Sequence, residues 1–454
     1  TTFYFDRGIR PLLDRIGRLA GRSFTALEID SYEVGMQNWT AGLEREFRRR
    51  NGYGITRYLP AITGRYVGNA EITERFLWDF RRTLADLIAD NYYGRMRELC
   101  GRHGLALYVE PYGAGPGPYD ELQIGGRVDV PMGEFWAHFP WDDIPSLRLA
   151  ASIAHVRGQR IVAGEAFTST EEQSRFLDHP YALKTTGDLA FSYGLNQMLF
   201  HRFAHQPHPT AVPGMTMGPW GFNFDRNNSW FDKSGPWLEY LARCQFLLQQ
   251  GVSVADVLFF TGEGSPRMSK RMAPKLPPGY QFDAVDAEVL LRSRVEGDRL
   301  VLPGGGSYRL LLLPDDLKSI TPELMRHLHR LVGEGAVVVG PKPRFSPTLR
   351  NYPDSDRQVR RLADELWGSD QPESASTGRG GKARKVHPPQ ALGTLLSDLQ
   401  LQPDFEYTAR DPGASLVWFH RKVRNADIYF VANRQRRPEE VVCTFRVGGR
   451  QPEL

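Results

Sequence analysis

The sequence has little cysteine, no long apolar run and no marked excess of either charge, and each shortage removes a class of protein. Cys100, Cys244 and Cys443 are far apart, odd in number and without CxxC spacing, so neither a disulfide framework nor a thiolate zinc site is indicated. They read as small buried apolar residues. No stretch reaches the roughly 18 apolar residues of a membrane helix, and a membrane is not among the expected partners. The N-terminus Thr1-Thr2-Phe3-Tyr4-Phe5 lacks the basic and apolar regions of a signal peptide, so the compartment is not read from it directly. The net charge of +4 is a small residue of 57 basic against 53 acidic side chains, without a basic stripe. Nucleic-acid binding has no footing there.

What is present is the composition of a globular protein, 41% hydrophobic and 11% aromatic over 454 residues, long enough for two or three domains. Short apolar runs alternate with long amphipathic stretches in the first half, the pattern of βα units around a parallel sheet. Asn69 caps a helix whose apolar positions Ile72, Phe76, Phe80, Leu84, Leu87, Ile88 and Tyr92 recur at three and four residues, with Gly101 as its stop. Buried strands are expected at Leu105 to Val109, Phe24 to Ile29 and Arg160 to Ala163, the last after a helix from Pro145 to Gly158. Glu33, Glu110, Glu134 and Glu165 fall where such strands end, which is where a (β/α) barrel assembles its active site.

A second region opens with a helix at Pro236, closed by Gly251, and continues into a strand from Val252 to Phe260. A strand at Arg309 to Leu313, a helix opened by Thr321-Pro322 and a strand at Ala336 to Val339 make a βαβ crossover. Gly304-Gly305-Gly306 is not a phosphate loop, since no GK[ST] follows it. Ser369 to Lys385 reads as a solvated linker or loop. The stretches Leu416 to Phe419, Asp427 to Val431 and Val441 to Val447 alternate as antiparallel strands do.

Three clusters could carry chemistry. Asp30-Ser31-Tyr32-Glu33 precedes Gln37-Asn38-Trp39-Thr40, and carboxylates, amides and a flat ring together suit sugar hydroxyls and a sugar's C–H face. Gly164-Glu165-Ala166-Phe167-Thr168-Ser169 sets a carboxylate among small residues. His201, His205 and His208, with Gly218 through Asn227 including Trp220 and Arg226, form a third cluster dense in polar and aromatic side chains. Pro207 and the lack of HExxH favour substrate hydrogen bonding by His205 over zinc. For each residue alone a plainer role is open: a glutamate can cap a helix or pair with an arginine, and an imidazole can hold loop backbone.

Taken together, Glu28 to Arg49, Glu165 to Ser169, Pro213-Gly214 through Trp230, and Arg243-Cys244-Gln245 to Ala255-Asp256-Val257 resemble glycoside hydrolase family 106, the α-L-rhamnosidases. Trp418 to Arg421 and Asp427 to Arg434 resemble the β module that follows in that family, so the resemblance spans nearly the whole chain. It implies an inverting, Ca2+-dependent hydrolase of rhamnose-containing glycans, with Glu33 as general acid and Glu165 as general base. Asn38, Trp39, His205, Trp220 and Arg226 are the expected substrate-binding residues. Calcium in that family acts as a substrate clamp, and Asp30, Glu110 and Glu134 are the carboxylates suited to it here.

The expected architecture is α/β. Residues 1–235 form the C-terminal part of a (β/α)8 TIM-type barrel whose later strands are present and whose opening strands are missing. Residues 236–368 form a small Rossmann-like α/β domain, 369–388 a linker or loop, and 389–454 the start of a β-sandwich module. Only Thr1 to Arg22 precede the first strand, so the chain is expected to be an internal piece of a longer enzyme, with the remainder of that chain as a partner. Its polymeric substrates imply a secreted or periplasmic site of action. Two other readings stand beside this one: a retaining β-galactosidase-like glycosidase, and a non-catalytic carbohydrate-binding remnant. The first differs in the gap between its carboxylates, about 5–5.5 Å against about 6.5–9.5 Å for inversion.

Overall fold

A computed structural model describes residues 1–113, 115–138, 143–216, 218, 220–368, 386–387 and 392–454. Its first sheet has five parallel strands in chain order, β1 (Ala26–Ile29), β2 (Ala106–Val109), β3 (Val130–Trp136), β4 (Ala163–Thr168) and β5 (Gln197–Phe200). Each strand pairs with the one before it, and helical crossovers join them, so the sheet curls as half of a (β/α) barrel.

The crossover from β1 to β2 is one long helical run, beginning with α1 (Ala70–Ile88) and continuing through a π turn (Ala89–Gly94) into Arg95–Arg102. The Asn69 side chain accepts from the Ile72 N–H at 2.8 Å and supplies the expected cap. Gly101 does not stop the helix. It lies in the last turn, and the left-handed glycine that turns the chain into β2 is Gly104. Phe76, Phe80 and Leu84 bury one face of α1 against Leu43, Phe47 and Ile55. Helix α2 (Pro145–Arg157) crosses from β3 to β4 and ends at Gly158 in the left-handed conformation. A side chain at Gly158 would collide with the backbone of Gly304, so this glycine serves both the turn and a close approach.

The second sheet is also parallel: β6 (Val257–Phe260), β7 (Phe282–Val285), β8 (Leu310–Leu312), β9 (Val338–Val339) and β10 (Val386–His387), in the spatial order β10-β9-β8-β6-β7. Its pleat sends alternate residues to two cores. Leu258, Phe260 and Leu311 pack against Leu324 and Leu328 of α3 (Pro322–Glu334), while Val257, Phe259 and Leu310 pack with Leu395 and Leu396. The expected single strand from Val252 to Phe260 is two. Val252–Ser253 pairs instead with the strand Leu416–Lys422, which also pairs with Asp427–Asn433.

Two expected boundaries shift. Val386 and His387 pair with Val338 and Val339 as the sheet's edge strand, so they belong to the α/β domain and not to the linker; the rest of 369–388 lies outside the described residues apart from the sequence itself. The helix Leu392–Asp398 also packs on this sheet. The strands of the C-terminal module begin at Phe405. Nor is residue 235 a spatial divide, because α2 lies between the two parallel sheets. Its Leu149 and Ile153 join the second sheet's core, its Ser152 hydroxyl accepts from the Ala284 N–H at 2.9 Å, and His155 Nδ1 lies 2.8 Å from Asp283.

Candidate active site

The strand pleat sorts the acidic residues. Glu28 pairs with Tyr108, Tyr108 with Val130, and Glu134 with Glu165. Residues two apart on a strand share a face, so Glu28, Asp30, Glu110, Glu134 and Glu165 all fall on the concave side of the half-barrel. Leu107, Val109, Phe135 and Ala166, on the other face, sit in cores shared with the helices. Gly133 sits under the start of α2, where a side chain would strike the Ser146 and Leu147 backbone. Glu165 was expected just past a strand; the strand runs through it, to Thr168.

Asp30, Glu110 and Glu165 each bring one carboxylate oxygen to within 4.8 Å of the other two. Glu134, expected with Asp30 and Glu110, is not in this group but stands in register with Glu165 on the neighbouring strand. Burial pushes the Glu110 carboxyl well above the usual carboxylate range, and Glu134, Glu165 and Asp30 add repulsion. Burial and then Glu165 push Glu134 up to about 7. Glu28 lies on the open edge of the half-barrel, exposed along one side, yet the enclosing protein, then Asp30 and Glu165, raise it to about 7 as well. Glu110 is 1% exposed, and both its oxygens are buried without a hydrogen-bond partner. The Tyr112 hydroxyl beside it is likewise buried and does not reach hydrogen-bonding geometry. A crowd of carboxylates with an orphaned pair of oxygens at its centre has the donor set of a hard divalent cation.

Glu165 has two polar neighbours. The Thr168 hydroxyl donates to Oε1, and His201 Nδ1 stands 3.4 Å from the same oxygen. Glu33 sits on the loop after β1, exposed, with the Ser31 hydroxyl donating to its Oε1 at 3.3 Å. That loop is stitched to the loop after β2 by the Tyr32 N–H, which donates to the Tyr112 carbonyl at 2.7 Å. Trp220 reaches the rim through an edge-to-face contact with Trp136, the last residue of β3, at 5.6 Å.

The remaining expected binding residues separate from this cluster. Trp39 lines a cleft of about 740 Å³ against Leu84, Ile88 and Tyr92 of the long helix. Asn38 and His205 are exposed with no hydrogen bond among the described residues. Arg226 donates to the carbonyls of Gln206 and His208 at 3.2 and 3.4 Å, so it holds its own loop.

Sequence reasoning missed Lys270. It arrives from the α/β domain on a segment where Arg267 N–H donates to the Tyr119 carbonyl and Lys270 N–H to Glu121 at 2.7 Å. Its ammonium donates to the Gly113 carbonyl at 2.6 Å and lies 4.2 Å from the Tyr112 ring centre. Burial lowers its pKa, against the pull of Glu121 and Glu134. Glu28 and His201 were not chosen either. The i, i+2 spacing of Glu28 and Asp30 on a strand was the available signal for the first.

A concave parallel sheet whose mouth gathers carboxylates, with indole rings at the rim, defines a barrel-type site of the kind that handles sugars. The chain belongs to glycoside hydrolase family 106, described as alpha-L-rhamnosidase, which it matches over residues 1–454. It is 40% identical over 452 residues to a protein of Formosa agariphila provisionally named a beta-glucuronidase, a match that takes 99% of this chain and 37% of that one. The rhamnosidase from Novosphingobium sp. PP1Y has 31% identity and a TM-score of 0.89, over 99% of this chain and 43% of the rhamnosidase. An exo-carrageenase from Bacteroides ovatus, at 9% identity and a TM-score of 0.52 over 89% of this chain and 58% of its own, shares the fold alone. The chain thus spans less than half the length of the first two relatives.

Proposed function

We propose that this chain carries the catalytic site of an enzyme that removes terminal α-L-rhamnosyl residues from plant or microbial polysaccharides or glycosides by an inverting acid/base mechanism. The observation that carries the reading is the convergence of Asp30, Glu110 and Glu165 on the concave face of a sheet shared with a rhamnosidase. Glu33 is the general acid, giving its proton to the glycosidic oxygen as the C1–O bond breaks. Glu165 is the general base, taking a proton from the water whose oxygen forms the new bond to C1 on the opposite face. Thr168 holds Glu165 for that transfer, and His201 Nδ1 stands 3.4 Å from the same oxygen.

Asp30 and Glu110 would hold a Ca2+ ion, with Glu134 beside them. Calcium binds oxygens at about 2.3–2.6 Å, so ligands across one ion lie up to about 5 Å apart, and one oxygen each of Asp30 and Glu110 falls within 4.8 Å of the other. When bound, the ion supplies positive charge that offsets the carboxylate repulsion and polar positions for sugar hydroxyls. A polymeric substrate fits secretion or a periplasmic location.

The name of the Formosa relative favours a second reading, a β-glucuronidase. Aryl α-L-rhamnoside, β-D-glucuronide and β-D-galactoside, each assayed before and after exhaustive chelation, separate the readings. The expected result is turnover of the rhamnoside alone, lost on chelation and restored by Ca2+. Turnover of the glucuronide or galactoside in its place would transfer the assignment, and a rate indifferent to chelation would remove the ion.

A further inference from the structure

A cleft lined by two exposed cations without partners among the described residues lies away from the carboxylate cluster. It has a volume of about 770 Å³, within the roughly 300–1,000 Å³ range of ligand sites. One wall is the start of α1, with Glu74, Trp78 and Arg81; the other is the α/β-domain segment 344–360, with Arg344 and Tyr352. We propose that this cleft is a second saccharide-binding site, which takes an acidic stretch of the same glycan whose terminal residue is cleaved at the barrel mouth. The inference rests on the glycan-hydrolase reading above.

Its charges divide into those already committed and those free. The Arg75 guanidinium donates to both Asp356 oxygens at 3.0 and 2.9 Å and to Glu71 at 2.9 Å, and it lies 4.5 Å from the Tyr352 ring centre. Arg360 stands 3.6 Å from Asp356. These groups hold the two domains together. Arg81 and Arg344 are exposed and have no side-chain hydrogen bond or ion pair among the described residues. Against them stands the single unpaired carboxylate of Glu74, so the free charge of the cleft is positive. In the cleft beside Trp39, by contrast, Arg49 and Arg50 are bonded to Glu46, Asp86 and Asp90. Trp78, half-buried, supplies a flat face for a pyranose ring, and a guanidinium matches a carboxylate or sulfate in two-pronged fashion.

The cleft also lies on the correct side. The helical run from Ala70 to Arg102 precedes β2 and runs against it, so its start lies toward the strands' C-terminal ends, where the carboxylates are. At about 1.5 Å per residue the run is roughly 50 Å long, against roughly 13–23 Å for strands of four to seven residues. The start of α1 therefore extends beyond the sheet on the mouth side. The cleft and the carboxylates thus lie toward the same end of the sheet.

Calorimetric titration with oligogalacturonate, a sulfated oligosaccharide and a neutral glucan oligomer of matched length tests this. Binding of one or both acidic probes is expected, and the stronger one identifies carboxylate or sulfate as the group recognised. Arg81→Ala with Arg344→Ala should weaken that binding by roughly tenfold or more, the scale of a lost charge-assisted contact, and Trp78→Ala should weaken it too. All variants should keep wild-type kcat/KM on aryl α-L-rhamnoside. The two arginines are exposed, so the double variant should melt as the wild type does, which a thermal denaturation curve checks. Equal affinity for the neutral oligomer, or unchanged affinity in the arginine variant, overturns the proposal. Lost binding in the variants of a protein that does not cleave the rhamnoside would leave the cleft standing and defeat the catalytic reading.

Discussion

Glu33 and Glu165 differ in what surrounds them, and the difference matches the roles proposed for them. A general base must keep one geometry while water is activated, and Glu165 is held within β4 by the Thr168 hydroxyl. A general acid must meet varied leaving groups, and Glu33 stands exposed on a loop. A good leaving group departs without a proton, so Glu33→Gln should cripple cleavage of natural glycosides yet spare much of the rate on a dinitrophenyl rhamnoside. Glu165→Gln should suppress both by a similar large factor, since water needs activation in either case. Steady-state rates on the two substrates check this, and the reverse pattern would exchange the roles. At this scale the sequence was legible where chemistry sits at strand ends: of the four glutamates expected there, Glu110, Glu134 and Glu165 share one concave face, because each sits on or directly after a strand, while Glu33 lies further on, in the loop after β1. It was not legible where the chain returns from afar. Lys270 meets a carbonyl 157 positions away, and no local pattern encodes such a contact. Trp39 lines a different cleft and Arg226 bonds carbonyls of its own loop, placements set by how those loops fold and not by their composition.

At the level of elements, the features set by local chemistry were readable, among them the Asn69 cap, the Gly158 stop and the Thr321 cap, whose hydroxyl accepts from the Leu324 N–H at 3.4 Å. Those set by pairing were not. Val386-His387 becomes a strand only because β9 is there to receive it, and β4 continues past the expected end because β3 and β5 flank it. The docking of elements depends on ion pairs with a pH signature. Arg127 beside the β3 sheet meets Glu288 of the α/β domain at 2.8 Å, and Gln123 donates to the same carboxylate at 2.9 Å. Burial alone would raise Glu288, but Arg127, Gln123 and Arg82 outweigh it and draw the carboxyl down from 4.5 to about 2. A carboxyl depressed in the folded state stabilises fully above its unfolded value and loses that contribution as pH falls through the folded one. Stability should therefore decline between about pH 4.5 and about pH 2. Glu288→Gln should cost on the order of 2 kcal/mol at neutral pH and flatten the decline. Urea denaturation across that range measures both, and identical pH profiles for wild type and variant would contradict the linkage.

Across the whole molecule, the two parallel sheets are joined through shared elements. The half-barrel and the α/β domain share α2, and the second domain supplies Lys270 to the mouth and one wall of the further cleft. The site is thus a product of both sheets, which a linear division at residue 235 could not express. What this assembly does chemically is stated most sharply by its stereochemistry. If Glu33 protonates the leaving oxygen while Glu165 activates water on the other face, the first sugar released from an α-L-rhamnoside must be β-L-rhamnose. Proton NMR, recorded from the first minutes of hydrolysis and before mutarotation, reads the anomeric signal directly. The β signal should appear first and the α signal grow in later; α-L-rhamnose as the initial product would place the reaction in the retaining class and contradict the inverting mechanism.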